Sequence, residues 1–95
     1  MIGKLTGMTE NSATVDVSDA NSQSVTKAVQ TAANVIQVPV SQPGTFCFAG
    51  KTVSGGADLL VSVKIIDSKV KLTVNCEKMV IGSMLLRDIK QNLSS

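Results

Sequence analysis

Between residues 45 and 75 the apolar side chains alternate. Phe46, Phe48, Leu59, Val61, Val63, Ile65, Val70, Leu72 and Val74 fall on one side of the pattern. Cys47, Lys51, Ser62, Lys64, Lys69, Lys71 and Thr73 fall on the other. A period of two is the mark of a half-buried strand, because successive side chains of extended backbone point to opposite faces. Ser54-Gly55-Gly56-Ala57 and Asp67-Ser68 interrupt the pattern with turn residues. Three strands are therefore predicted, over residues 45–53, 58–66 and 69–75, joined as an antiparallel meander. One of its faces is wholly apolar and must be covered by something.

Two-residue turns at Gly55-Gly56 and Asp67-Ser68 set a register by counting. Phe48 then faces Val63, Phe46 faces Ile65, and Gly50 faces Val61. In the next ladder Ile65 faces Val70 and Val63 faces Leu72. Cys76 extends the apolar face, and Gly50 leaves room on it for a helix backbone.

The flanking segments supply cover. Ala13, Val15 and Val17 alternate with Thr14 and Asp16, so residues 12–18 read as a further strand. Residues 4–8 are a candidate partner for it, with residues 7–11 as the turn. Asn21 or Ser22 caps a helix over residues 22–34. Its stripe is Val25, Ala28, Val29, Ala32 and Ile36. Pro39 and Pro43 exclude regular helix, and Ser41-Gln42-Pro43-Gly44 reads as a turn. The last segment is helical, with Val80, Ile81, Met84, Leu85, Ile89 and Leu93 inward and Ser83, Arg87, Lys90 and Gln91 outward. Gly82 weakens that helix by roughly 1 kcal/mol relative to alanine, which leaves a strand continuation through residues 77–81 as the alternative at its start. The 95 residues thus form one α+β domain, an antiparallel sheet of about four or five strands with two helices on one face.

Catalytic chemistry finds little foothold. There is no histidine, which removes Ser-His-Asp and Cys-His catalysis and every histidine metal pattern. No phosphate-binding glycine motif is present, and the acidic residues fall in no metal-loop spacing. Cys47 has lysines near it but no base or orienting group. Cys47 and Cys76 form no C-x-x-C pair, and two buried thiols are expected rather than a disulfide. The chain is expected to be no enzyme and to carry no cofactor and no metal. No apolar run approaches the ~20 residues that span a bilayer. Met1-Ile2-Gly3-Lys4-Leu5 has no signal-peptide core, which points to an intracellular chain.

The lysines are the remaining feature. Net charge is only +2, but residues 51–95 hold seven basic and four acidic side chains while residues 1–50 hold two and three. Lys64 and Lys71 sit opposite each other in the counted register, and like charges so placed repel. Long lysines splay into water at little cost, which is the ordinary meaning of such a face. The sharper reading is a docking face for an acidic or anionic partner, centred on Lys64 and Lys71 with Lys51 and Lys69 beside it. Arg87 and Lys90 on the last helix are the alternative surface. With Phe46 and Phe48 as the only aromatics, both assigned to the core, nucleic acid is not an expected partner.

Two segments carry a resemblance. Phe46-Cys47-Phe48-Ala49-Gly50-Lys51-Thr52-Val53 and the run from Leu72 through Asn75-Cys76-Glu77-Lys78-Met79-Val80-Ile81-Gly82-Ser83-Met84-Leu85-Leu86 to Ile89 resemble the extreme C-terminus of the β subunits of adaptor protein complex 3. Gly7-Met8-Thr9-Glu10 and the Ala-Ala-Asn at positions 32–34 fit the same order, so the resemblance covers nearly the whole chain. It implies the C-terminal platform of a β-adaptin ear, with residues 1–95 as one subdomain of a longer chain and an artificial start at Met1. It further implies vesicle-coat work in protein transport, sorting cargo from endosomes and the Golgi toward lysosomes and related organelles. The implied location is cytoplasmic, peripheral on Golgi and endosomal membranes and coated vesicles. The implied partners are the other subunits of the complex, accessory or regulatory trafficking proteins, and the membrane through the complex. Ears of related clathrin adaptors hold peptides with exposed Trp and Tyr. This chain has neither, so that aromatic groove is not carried over. An ear module recruiting partners, and a structural domain packed on another subunit or on an ear sandwich, both stand as readings.

Overall fold

Two ladders organise the molecule, and the second of them follows the counted register. The structure is a computed structural model that describes residues 9–18, 20–53 and 57–94. Strand β4 (Asp58–Ile66) pairs antiparallel with β5 (Lys69–Cys76), with Ile65 opposite Val70 and Val63 opposite Leu72. Asp67 takes the left-handed conformation (φ 55°) that lets two residues reverse the chain. Strand β3 (Thr45–Lys51) pairs with β4 two residues away from the expected register: Phe46 faces Val63, Phe48 faces Val61, and Gly50 faces Leu59. The cause is a longer loop. The last paired residues are Lys51 and Asp58, and the Thr52 N–H donates to the Ala57 carbonyl at 3.1 Å, so more than two residues separate the paired ends. A shift of two preserves the faces, and the apolar side remains apolar.

The sheet has five antiparallel strands in the order β1-β5-β4-β3-β2. Strand β1 (Thr9–Asp16) lies beside β5 and begins earlier than expected. Thr9 to Asn11 are strand, not turn, because they stay in register with Cys76 to Val74. The expected partner strand at residues 4–8 lies outside the described residues. Strand β2 (Asn34–Val38) is an addition to the expected elements. Helix α1 (Ser22–Ala32) ends before it. Val35, Ile36 and Val38 are β-branched and pack better on a pleated sheet than around a helix. Ile36 therefore leaves the helical stripe and sits 69% exposed on the outer side of the sheet.

Helix α1 is nucleated at Asn21. Its side-chain oxygen accepts from the Ser24 N–H at 3.0 Å, and the Ser24 hydroxyl oxygen accepts from the Asn21 N–H at 3.1 Å. Such a reciprocal cap is worth about 1 kcal/mol. Helix α2 (Met79–Ser94) starts directly after β5, so the strand continuation through residues 77–81 is not formed. It also presents a different face from the expected one. Gly82, Leu85, Leu86, Ile89 and Leu93 are buried, while Val80 and Met84 are 67% and 51% exposed. Gly82 explains the rotation. A Cβ there would lie 3.1 Å from both the Asn11 Nδ2 and the Cys76 Cβ. The bare glycine lets α2 press onto β1 and β5, so its weak helix propensity accompanies a close-packing role.

Both helices cover the same side of the sheet. Val25 and Val29 of α1 and Ile89 of α2 are fully buried with Phe48, Val61, Val63, Leu72 and Val74. Asn92 ties the helices together by donating to the Ala28 carbonyl at 3.0 Å. Gly50 also makes room, but for strand β2 rather than for a helix: a Cβ on it would approach Val35 Cα within 2.8 Å. Cys76 is buried on the covered side. Cys47 is half-buried on the opposite side, so the two thiols are free and only one is fully enclosed.

Two outcomes test this packing. Val63 is fully buried, so Val63→Asp is expected to unfold the domain, since an unpaired buried carboxylate costs several kcal/mol against a total of about 5–15; a folded variant with unchanged circular dichroism contradicts the placement. Gly50→Ala is expected to cost about 1–3 kcal/mol by forcing β2 outward; an unchanged denaturation midpoint means that β2 does not approach there.

Candidate functional site

The outer face of the sheet is covered by no helix among the described residues. Side chains directly opposite in a ladder share a face, so the register fixes what this surface displays. One row across the strands runs Thr45, Lys64, Lys71, Thr14. The next runs Val38, Cys47, Ser62, Thr73, Ser12, and the one beyond it Ile36, Ala49, Leu60, Asn75, Glu10. The first rows are thus hydroxyl-bearing and cationic, and Ile36, Val38, Ala49 and Leu60 form an apolar strip toward β2.

Lys64 and Lys71 are direct neighbours, as the counted register predicts. A shallow depression of 190 Å³ lies around them, lined also by Gln42, Thr45, Ser62 and Thr73. The Ser62 hydroxyl is 3.7 Å from the Cys47 thiol. Among the described residues neither ammonium has an ion-pair partner; the lysines that do are Lys51 and Lys69. Lys69 lies two residues from Lys71 on the same face, 3.6 Å from Asp16, with both side chains largely exposed. Such a pair is worth little and exchanges readily.

Lys51 does not belong with this group. It lies at the other end of β3, opposite Asp58, with its Nζ donating to the Asp58 Oδ1 at 2.8 Å. Asp58 and Lys64 are six residues apart on β4, which is about 20 Å of extended chain. The hydrogen bond to Asp58 raises the Lys51 pKa above its ordinary value, helped by the charges of Asp58 and Glu77. Glu77 in turn accepts from the Asp58 N–H at 2.9 Å. A raised lysine favours the fold below its ordinary pKa of 10.5 and loses that contribution as pH climbs through the raised value. In open solvent the effect is small. Arg87 and Lys90 are exposed on α2, in the helix layer on the other side of the sheet, and do not join the lysine row.

The apolar strip of Ile36, Val38, Ala49 and Leu60 is a feature that the sequence reading does not contain. Its signal is present in part: continuing the alternation past Phe48 puts Ala49 outward, and the Leu59-Leu60 doublet puts one leucine on each face. The remainder requires β2. Elsewhere, Val53 and Met84 flank a groove of 290 Å³ between the end of β3 and α2. Neither α1 nor β1 exposes a large apolar side chain among the described residues.

Similarity to known proteins bears on the same chain from another side. The family described as the C-terminal domain of AP-3 complex subunit beta-1 matches residues 1–93. AP-3 complex subunit beta-1 of Mus musculus and of Homo sapiens are each 42% identical over 95 residues, which is 97% of this chain. AP-3 complex subunit beta-2 of Mus musculus is 37% identical over the same share. The chain spans only 9% of the length of these relatives. A five-stranded antiparallel sheet with two helices on one face, together with a family match over nearly every residue, makes this chain a member of the family formed by the C-terminal domains of AP-3 beta subunits.

Proposed function

We propose that the domain is a protein-interaction module of an AP-3-type vesicle-coat adaptor, acting in protein transport, and that it takes up an acidic segment of a partner along the outer sheet face. In this reading it works as the platform subdomain of a longer β-adaptin, without enzymatic activity. It sits on the cytoplasmic side of Golgi and endosomal membranes and serves sorting toward lysosomes and related organelles. Its partners are the other subunits of the complex and accessory trafficking proteins.

The observation that carries the proposal is the Lys64–Lys71 pair. Two ammonium groups face each other across a ladder without a counter-charge among the described residues. A carboxylate laid between them relieves the repulsion and forms charge-assisted hydrogen bonds. Lys69 adds to the local potential, with Ser62 and Thr73 as hydroxyl partners. No Trp or Tyr is available as an anchor, so the affinity is expected to be micromolar or weaker, about −8 kcal/mol or less favourable. Lys51, held by Asp58, and Arg87 and Lys90, on the other layer, stand outside this site.

A second reading is a structural domain packed on another subunit or on the rest of an ear. The apolar strip favours it, since Ile36 at 69% exposure and its neighbours offer area without charge.

The test is titration of the isotopically labelled chain with an oligo-glutamate peptide. Amide shifts are expected at Thr45, Ser62, Lys64, Lys71 and Thr73, weakening with salt because exposed charges are screened over about 8 Å at physiological ionic strength. Lys64→Glu/Lys71→Glu is expected to abolish them. Salt-insensitive shifts that survive the double substitution, centred on Arg87 and Lys90, overturn the assignment. The structural reading instead expects Ile36→Ser to reduce co-purification with the remaining AP-3 subunits while the lysine variant leaves it unchanged.

A further inference from the structure

The two edges of the sheet are treated differently. At one edge, β2 has five residues. The Val35 N–H donates to the Ala33 carbonyl at 3.1 Å, and its carbonyl accepts from the Gln30 side chain at 3.4 Å. Pro39 follows at once. A short strand with the edge groups of Val35 occupied, ending at a proline, is a poor template for another strand.

At the other edge, β1 has eight residues paired in unbroken register with β5. The Val17 N–H donates to the Ser68 carbonyl at 2.8 Å and continues the same register. In an antiparallel ladder the bonded residues alternate. Thr9, Asn11, Ala13, Val15 and Val17 therefore turn their backbone groups to β5, and Glu10, Ser12, Thr14 and Asp16 turn theirs outward. Among the described residues no side chain or strand meets those outward groups. Strand β1 contains no proline and no bulge, and the charges that guard it are the two carboxylates Glu10 and Asp16, near its ends.

We propose that β1 accepts an added strand from a partner protein, an extended segment that carries a Lys or Arg facing Glu10 and another facing Asp16. Charge chooses this occupant. Strand β1 holds two carboxylates and no base. Two copies of the chain joined through β1 bring four carboxylates to the seam against the two Lys69 side chains beside Asp16, whereas a basic segment neutralises the excess. Among the described residues Asp16 is held only by Lys69 at 3.6 Å in open solvent, an interaction easily exchanged. Main-chain hydrogen bonds supply the attraction, and alternate side chains of the segment supply the selectivity. The segment's inward side chains continue the half-buried row of Ala13 and Val15 beside α2. This surface adjoins the Lys64–Lys71 row, which ends at Thr14, but it uses backbone groups and prefers the opposite charge.

The probe is an octapeptide of alternating valine and threonine with a lysine near each end, its termini blocked. Hydrogen exchange of the Ser12 and Thr14 amides in the labelled chain is expected to slow at least tenfold at saturating peptide, while the Ala13 and Val15 amides, already bonded to β5, change little. Ser12→Pro removes an outward N–H without touching the β1–β5 ladder, so the variant is expected to keep its circular dichroism and to bind at least tenfold more weakly. Glu10→Lys leaves the backbone intact and is expected to weaken binding most at low salt. Lys64→Glu/Lys71→Glu is expected to leave this binding no weaker. Unchanged exchange at Ser12 and Thr14 overturns the proposal. So does protection of those amides in the chain alone: protection independent of concentration means that the chain's own residues fill the edge, and protection that grows with concentration means that a second copy does.

Discussion

Everything on the outer face depends on the burial of the inner one. Phe48, Val61, Val63, Leu72 and Val74 are fully enclosed beneath α1 and α2, and each such side chain contributes about 1.5–3 kcal/mol by leaving water. Because side chains alternate, every residue sent inward sends its neighbours outward. The register that optimises the core therefore dictates the surface pattern as well. Both helices are committed to the apolar side, and the opposite side carries no cover among the described residues. The lysine row and the apolar strip are consequences of that one-sided arrangement.

The legible parts of the fold are those where local chemistry and packing agree. Asp67-Ser68 closes a two-residue turn, so counting from it aligns β4 with β5 correctly, including the Lys64–Lys71 pair. Counting from Gly55-Gly56 fails by two residues because the ladder stops at Thr52 and Ala57, and glycines mark a turn without saying how long it is. Strand β2 is hidden by Ile36, which sits at helical spacing from Val29 and Ala32 and so extends the stripe of α1 falsely. The face of α2 is misread through Gly82. Propensity treats glycine as a weak helix former, whereas here the missing side chain decides which way the helix turns.

The site is legible to the extent that it rests on the β4–β5 ladder. Lys64, Lys69 and Lys71 fall together because they lie on that hairpin. Alternation alone groups Lys51 with them, and only the β3–β4 register shows that it meets Asp58 at the far end. The apolar strip escapes because half of it belongs to a strand that no periodicity announces. The difference between the edges is absent from sequence patterns altogether: it lies in where individual N–H and C=O groups point, which needs the ladder itself.

The seam between Gly50 and Val35 has a consequence for how the outer face behaves over time. Strand β2 is terminal in the sheet and short, and it is seated by a backbone approach that only glycine allows. Terminal elements of this kind open locally at lower free energy than the core they border. When β2 lifts, Ile36 and Val38 leave with it, while Lys64 and Lys71 remain fixed on the central hairpin. The surface is thus a durable part, with Lys64, Lys71, Ala49 and Leu60, joined to a detachable apolar edge, and a ligand that touches both would feel the opening of one strand as a loss of grip rather than as unfolding.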